Sequence, residues 1–320
     1  MKSLAAGILI GAVSAAIFSS AAQAQTAPAI RHPPGDYATV NGARLWYESE
    51  GQGEPLILIA GGPGDSHAIF HPFFSRLADR YRVIYYDAFG VGKSDRAKAR
   101  AEYSFARDVE NVEGLRKALG LSKINILGQS YGGMVAQGYA LKYPAAVGHL
   151  ILASTFYSGK MWQANNDNCN YEIRNQYPEV WEKLQKMRAR GVRSSAPEHQ
   201  KEYYGVPLGL FYFYDAAKAG ALPQEPGNTD VYYTIAGGDA DFVIGGDIAA
   251  LDFRADLQKL RMPILVVAGR FDRVSIPRYA LDFKRYAPQA QIAILENSGH
   301  FPFIEEPDET EAVLRDFLGN

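Results

Sequence analysis

Lys123 to Gly133 reads KINILGQSYGG, an apolar run that stops at a serine set between glycines. Ile124, Asn125, Ile126 and Leu127 read as a buried strand, and Gly133 to Tyr143 reads as a small-residue helix that ends before Pro144. Gly128 to Gly132 is then the turn between them. Such a turn holds Ser130 in a cramped backbone conformation, tolerable only if the residues two before and two after it lack a side chain. The turn lifts the serine hydroxyl above the sheet edge. The amide of Tyr131, at the start of the helix, points to where a negative oxygen would form.

Working outward, Asp36 to Val40 and Arg44 to Glu48 are strand candidates joined by Asn41-Gly42, a pair that accepts positive φ and marks a hairpin. Pro55 to Ala60 is a continuous apolar run of the kind buried on both faces of a parallel sheet. It ends in Gly61-Gly62-Pro63-Gly64, followed by a helix expected from His67 to about Asp79. Neither a phosphate-binding nor a dinucleotide glycine pattern fits this loop, whereas an oxyanion loop needs only one aimed amide, assigned here to Gly62. Arg82 to Tyr86 is a strand ending in Asp87, which is expected to hold the amides of the next loop. Tyr103 to Leu119 is an amphipathic helix, and Val147 to Ala153 another buried strand.

From Thr155 the strand rhythm stops, and aromatic residues from Trp162 to Tyr214 sit among polar ones. This suits a helical lid over a site. Strands resume with Pro263 to Ala268, ending in Gly269-Arg270-Phe271-Asp272, and with Gln291 to Leu295, followed by Asn297-Ser298-Gly299-His300; Val313 to Leu318 lies in a closing helix. The expected organisation is a leader over 1–24, a core over 25–154 and 251–320, and a helical cap inserted over 155–250.

Acyl transfer by a serine needs a base, a carboxylate to orient the base, and donors for the oxyanion. In a parallel sheet the loops after the strands' carboxyl ends converge on one edge. Ser130, Asp272 and His300 stand on three such loops, in that order. Asp272 is preferred to Asp247 and Asp252 because only it directly follows a buried strand. His67 and His71 are left as helix or loop residues near the cleft.

The chain has 320 residues, a net charge of −2, 20 tyrosines and 16 phenylalanines. Nothing in that balance calls for nucleic acid. Cys169 is the only cysteine, so no disulfide or multi-cysteine metal site forms within one chain, and it receives no role. No metal or cofactor is called for. Met1-Lys2, the apolar run Leu4 to Phe18 and Ala22-Gln23-Ala24 read as a cleaved export signal, which places the protein in the periplasm or outside the cell, with no stable membrane insertion after cleavage. The oligomeric state is left open.

GGPGDSH (Gly61 to His67), YDAFGVGKSD (Tyr86 to Asp95), GQSYGGMVAQGYALKYP (Gly128 to Pro144), AGRFD and NSGH resemble the α/β-hydrolase superfamily, and within it the proline iminopeptidases, especially relatives of the tricorn-interacting aminopeptidase. The resemblance runs from about Asp36 to the end. It implies an α/β-hydrolase fold, with a mostly parallel sheet flanked by helices and an inserted helical cap. It also implies a metal-free aminopeptidase that releases an N-terminal residue, commonly proline. Ser130, Asp272 and His300 correspond to the family's triad, and Gly62 and Tyr131 to its oxyanion hole. Ala60 and Phe89 stand where the family has histidine and arginine. Gly238 to Phe242 resembles a cap motif whose acid, shortened to Asp241, would meet the substrate's ammonium group; Glu202 or Glu198 would supply a second acid. Two alternatives stay open: an esterase or lactonase acting on small acyl substrates, and a hydrolase-like receptor that binds without turnover.

Overall fold

The computed structural model describes residues 32–207, 211–222 and 227–319. The leader therefore lies outside the described residues. Eight strands, β1 (Gly35–Val40), β2 (Ala43–Glu50), β3 (Glu54–Ile59), β4 (Tyr81–Tyr86), β5 (Ile124–Gln129), β6 (Val147–Ala153), β7 (Ile264–Gly269) and β8 (Gln291–Leu295), form one sheet in the order β1-β2-β4-β3-β5-β6-β7-β8. The β1–β2 and β2–β4 pairs are antiparallel, and all others parallel. Asn41 and Gly42 turn the first hairpin with φ of 50° and 80°, the left-handed pair that matches the twist of the strands.

The helices are α1 (Phe105–Ala118), α2 (Tyr131–Lys142), α3 (Gly159–Gln176), α4 (Pro178–Ala189), α5 (Pro197–Tyr203), α6 (Thr229–Ile235), α7 (Arg254–Leu257), α8 (Pro277–Tyr286), α9 (Pro302–Glu305) and α10 (Pro307–Leu318). α1 starts at the Ser104 cap, whose side chain accepts the Arg107 amide, and buries Val109, Val112 and Leu115. Two apolar clusters pack on the sheet, one with Val135, Tyr139 and Leu150, the other with Phe70, Phe303 and Leu314. α3 to α6 fall between β6 and β7, and α3 to α5 bury a cluster of their own around Ile173, Leu184 and Tyr203.

Two local expectations change. The single helix from His67 to Asp79 is two 3-10 turns, His67–Phe70 and Phe73–Asp79. Pro72 separates them, because it donates no amide proton and drives His71 to an extended backbone with ψ of 141°. At Ser130, α2 begins at once with Tyr131, since φ of 54° and ψ of −123° complete the turn within one residue. Among the described residues no helix is long and apolar enough to cross a membrane.

Candidate active site

β5 lies between β3 and β6 and is buried along its whole length, so the residue that follows it is held at the middle of the sheet edge. The Ser130 amide donates to the Ala153 carbonyl at 2.9 Å, tying the turn to the end of β6. The flanking glycines are required by contact. A Cβ on Gly128 would lie 2.2 Å from the Gly132 carbonyl oxygen, and one on Gly132 would lie 2.2 Å from that of Ile59. Strand and helix thus approach as closely as bare backbones allow.

Asp272 follows β7. Its Oδ1 accepts the amides of Val274 at 2.8 Å and Ser275 at 2.7 Å, which leaves Oδ2 to meet His300 Nδ1 at 2.8 Å. A carboxylate held in this way favours the tautomer of His300 with its proton on Nδ1, which leaves the lone pair on Nε2. The His300 loop after β8 is braced from two sides. The His300 amide donates to the Tyr212 carbonyl at 2.7 Å, and buried Glu305 accepts the amides of Gly299, Tyr214 and Asp215. Burial raises the Glu305 carboxyl, and the three amides oppose that shift. Asp247 and Asp252 are engaged elsewhere, with the Phe105 amide and the Arg254 guanidinium.

Ser130 and His300 line one cavity of about 350 Å³, with Gly62 and Asp65 on the core side and Trp162, Tyr204, Tyr212 and Asp241 on the cap side. Gly62 has φ of 97°. Tyr131 turns its ring away, donating its hydroxyl to Asp108 at 2.7 Å, so only its amide faces the serine's side of the turn. Gly62 lines the cavity, and Tyr131 opens α2 directly after Ser130.

Asp241 is buried in this wall. Its Oδ1 accepts the hydroxyls of Tyr204 at 2.8 Å and Tyr232 at 3.2 Å, and its Oδ2 that of Tyr233 at 2.9 Å. Burial pushes its carboxyl up to about 6, and the tyrosine hydroxyls oppose that shift. The carboxylate has lone pairs left for a cationic donor.

Glu202 does not reach the cavity. It stands at the flank of the face on which α5 buries His199 and Tyr203, and pairs there with Lys183 of α4 at 3.3 Å. Glu198 is exposed. The acid that does line the cavity, beside Asp241, is Asp65, whose carboxyl is raised by burial against a lowering from His300. Gln129 also lines it, and neither its amide oxygen nor its nitrogen has a hydrogen-bond partner among the described residues. The GGPGD run and the residue before the serine carried these two in plain view, but nothing in their spacing marked them. Cys169 lies in the wall with its thiol directed to the Arg273 carbonyl at 3.4 Å; burial pushes that thiol up and keeps it protonated. His67 and His71 are not in the cleft but buried on the far side of Asp87, which accepts the Lys93 amide at 2.8 Å, the His67 amide at 3.2 Å and the His67 ring at 2.7 Å.

The α/β-hydrolase fold family model matches residues 54–307. A proline iminopeptidase of Heyndrickxia coagulans is 29% identical over 294 residues, covering 89% of this chain and 98% of that one. One from Clostridium botulinum is 30% identical over 284 residues, covering 86% and 93%. The crystal structure of a proline iminopeptidase from Mycobacterium smegmatis superposes with a TM-score of 0.72 at 23% identity, over 89% of this chain and 97% of that one. With its eight-stranded sheet and its serine on the turn after β5, the chain belongs to the α/β-hydrolase fold family, and its relatives there are the proline iminopeptidases.

Proposed function

We propose that this hydrolase is a serine aminopeptidase that releases N-terminal proline, or another small residue, from peptides. The observation that carries the reading is the content of one cavity: Ser130 on its strained turn, His300 oriented by Asp272, and the buried carboxyl of Asp241 on the cap side. A serine and a base alone serve any acyl substrate. A carboxylate in a tyrosine-lined wall adds a counter-charge for a free ammonium group. The names of the relatives support the same substrate class.

In this reading Ser130 Oγ attacks the carbonyl carbon of the first residue while His300 Nε2 takes its proton. The amides of Gly62 and Tyr131 receive the oxyanion. His300 then gives the proton to the departing amine, leaving an acyl-enzyme, and water activated by the same nitrogen frees the amino acid and restores Ser130. Asp272 holds the imidazole throughout. The N-terminal run over 1–24 directs export, tested by the mass of the protein recovered from an exporting host: a mature chain starting at Gln25 is expected, and an uncleaved one overturns it.

The test of activity is steady-state hydrolysis of proline p-nitroanilide beside its N-blocked form, alanine p-nitroanilide and p-nitrophenyl acetate, with Ser130→Ala as control. Turnover of the free-amine substrate, lost on blocking and in the variant, is the expected result. Turnover of the ester alone refutes the peptidase reading and keeps the hydrolase.

A further inference from the structure

Outside the cavity, Glu48 on β2 is fully buried with three histidines around a single oxygen. Glu48 Oε2 lies 2.8 Å from His32 Nδ1, 3.2 Å from His67 Nε2 and 3.3 Å from His71 Nε2. None of these residues lines the cavity of Ser130. His67 and His71 are themselves buried, yet His67 Nε2 and both ring nitrogens of His71 lack a hydrogen-bond partner among the described residues. At 3.2 and 3.3 Å the nitrogens converge on the carboxylate too obliquely for one. Buried polar atoms in that state call for a ligand.

The spacing identifies the ligand. A tetrahedral zinc ion with bonds of about 2.0–2.1 Å holds its donor atoms about 3.3 Å apart. The separations from His67 and His71 match that edge, that from His32 is a hydrogen bond about 0.5 Å shorter, and no two of the four donors are more than 4.8 Å apart, so a small shift of the rings closes the set. The rings stand edge to face, with interplanar angles of 67°, 69° and 85°, an arrangement compatible with three imidazoles around one centre. The surroundings fix their tautomers and orientation. Asp87 Oδ1 takes the Nδ1 proton of His67 at 2.7 Å, leaving the Nε2 lone pair facing Glu48. His71 stacks on Tyr85 at 4.0 Å between centroids, and Trp46 Nε1 donates to Glu48 Oε1 at 3.1 Å, which aims Oε2 inward.

We propose that His32, Glu48, His67 and His71 form a binding site for one divalent zinc ion. Three imidazoles and a carboxylate suit zinc, and four protein donors leave no open position for water, so the ion is structural. It joins three pieces of chain: the segment before β1, the antiparallel edge of the sheet, and the 3-10 turn that follows the glycine loop carrying Gly62. The rival is a metal-free cluster in which protonated histidines offset the charges of Glu48 and Asp87.

The experiment takes tag-free protein stripped with a chelator and titrates it with Co²⁺, then Zn²⁺, by visible spectroscopy and calorimetry. One Co²⁺ per chain, with the intense visible bands of tetrahedral coordination and displacement by Zn²⁺, is expected, and Zn²⁺ at a hundredfold excess over its Kd raises Tm by about 5 °C. His32→Ala alters the one partly exposed ligand, so the fold persists while Zn²⁺ affinity falls at least tenfold; Glu48→Gln loses the tetrahedral bands. No binding of either ion at micromolar concentration by the unaltered protein overturns the site, as does an octahedral cobalt spectrum. Binding unchanged in both variants places the ion elsewhere and also overturns it.

Discussion

Asp241→Asn separates the substrate's demand from that of the fold. The carboxyl is 3% exposed and burial pushes it from 3.8 up to about 6. A rise of about 2 units corresponds to about 3 kcal/mol between the protonation states. Because the folded value lies above the unfolded one, the neutral form is the one that stabilises the fold. That contribution is complete below about pH 4 and is lost as pH rises through about 6, so at pH 8 the ionised group strains the fold by up to about 3 kcal/mol. Asparagine has the same shape and no charge, and the three tyrosine hydroxyls can rotate to suit it. The variant is therefore expected to melt a few degrees higher at pH 8 and to match the unaltered protein near pH 4.

Catalysis moves the other way. Losing a charged hydrogen bond to the substrate's ammonium group costs about 1.5–3 kcal/mol, a fall of about 10- to 150-fold in kcat/KM for proline p-nitroanilide. Hydrolysis of p-nitrophenyl acetate, which carries no ammonium, stays within about threefold. In the unaltered protein the ratio of amide to ester activity should drop as pH falls through about 6, and in the variant it should be flat. Equal losses on both substrates, or a lower Tm at pH 8, would refute the reasoning that Asp241 is a strained counter-charge for the amine.

Asp272→Asn keeps the two amide contacts of Oδ1 but offers His300 the wrong partner, so kcat on both substrates should fall by about 10⁴ with Tm little changed; a decrease under tenfold would assign the orienting role elsewhere. Gly132→Ala places a methyl group 2.2 Å from the Ile59 oxygen, against backbone that cannot retreat, and should cost about 1–3 kcal/mol in denaturant unfolding along with most activity. Unchanged midpoint and turnover would show that the strand and helix are less tightly apposed. Glu305→Ala strips three backbone amides of their acceptor and frees the loop of His300; kcat should fall about tenfold or more on amide and ester alike, whereas a change confined to KM would contradict a bracing role.

What was legible in the sequence is what local sterics decide. The turn at Ser130 depends on collisions among Gly128, Gly132 and the end of β3, and the glycine pattern records those collisions directly. The limits of β6 fall where the apolar run Val147 to Ala153 begins and ends, because a strand between neighbours has nowhere else to put such residues, and the half-buried edge strand β8 coincides with Gln291 to Leu295. Pro72 was equally visible inside the helix expected from His67 to Asp79, and the chain breaks there. The acids were harder. Glu202 and Asp241 look alike in sequence, and only the facing of α5, seven residues long and too short to show a period, sends one to Lys183 while α6 brings Tyr232 and Tyr233 to the other. The histidine cluster lies further still from local reasoning. His32 and Glu48 meet because β1 and β2 pair antiparallel, with Gly35 opposite Glu48, and His71 joins them because Tyr85, its stacking partner, is also opposite Glu48 on β4. One residue of register slip in either ladder would turn Glu48 to the other face of the sheet. The site is thus a property of strand pairing, which is why no spacing of histidines along the chain announced it.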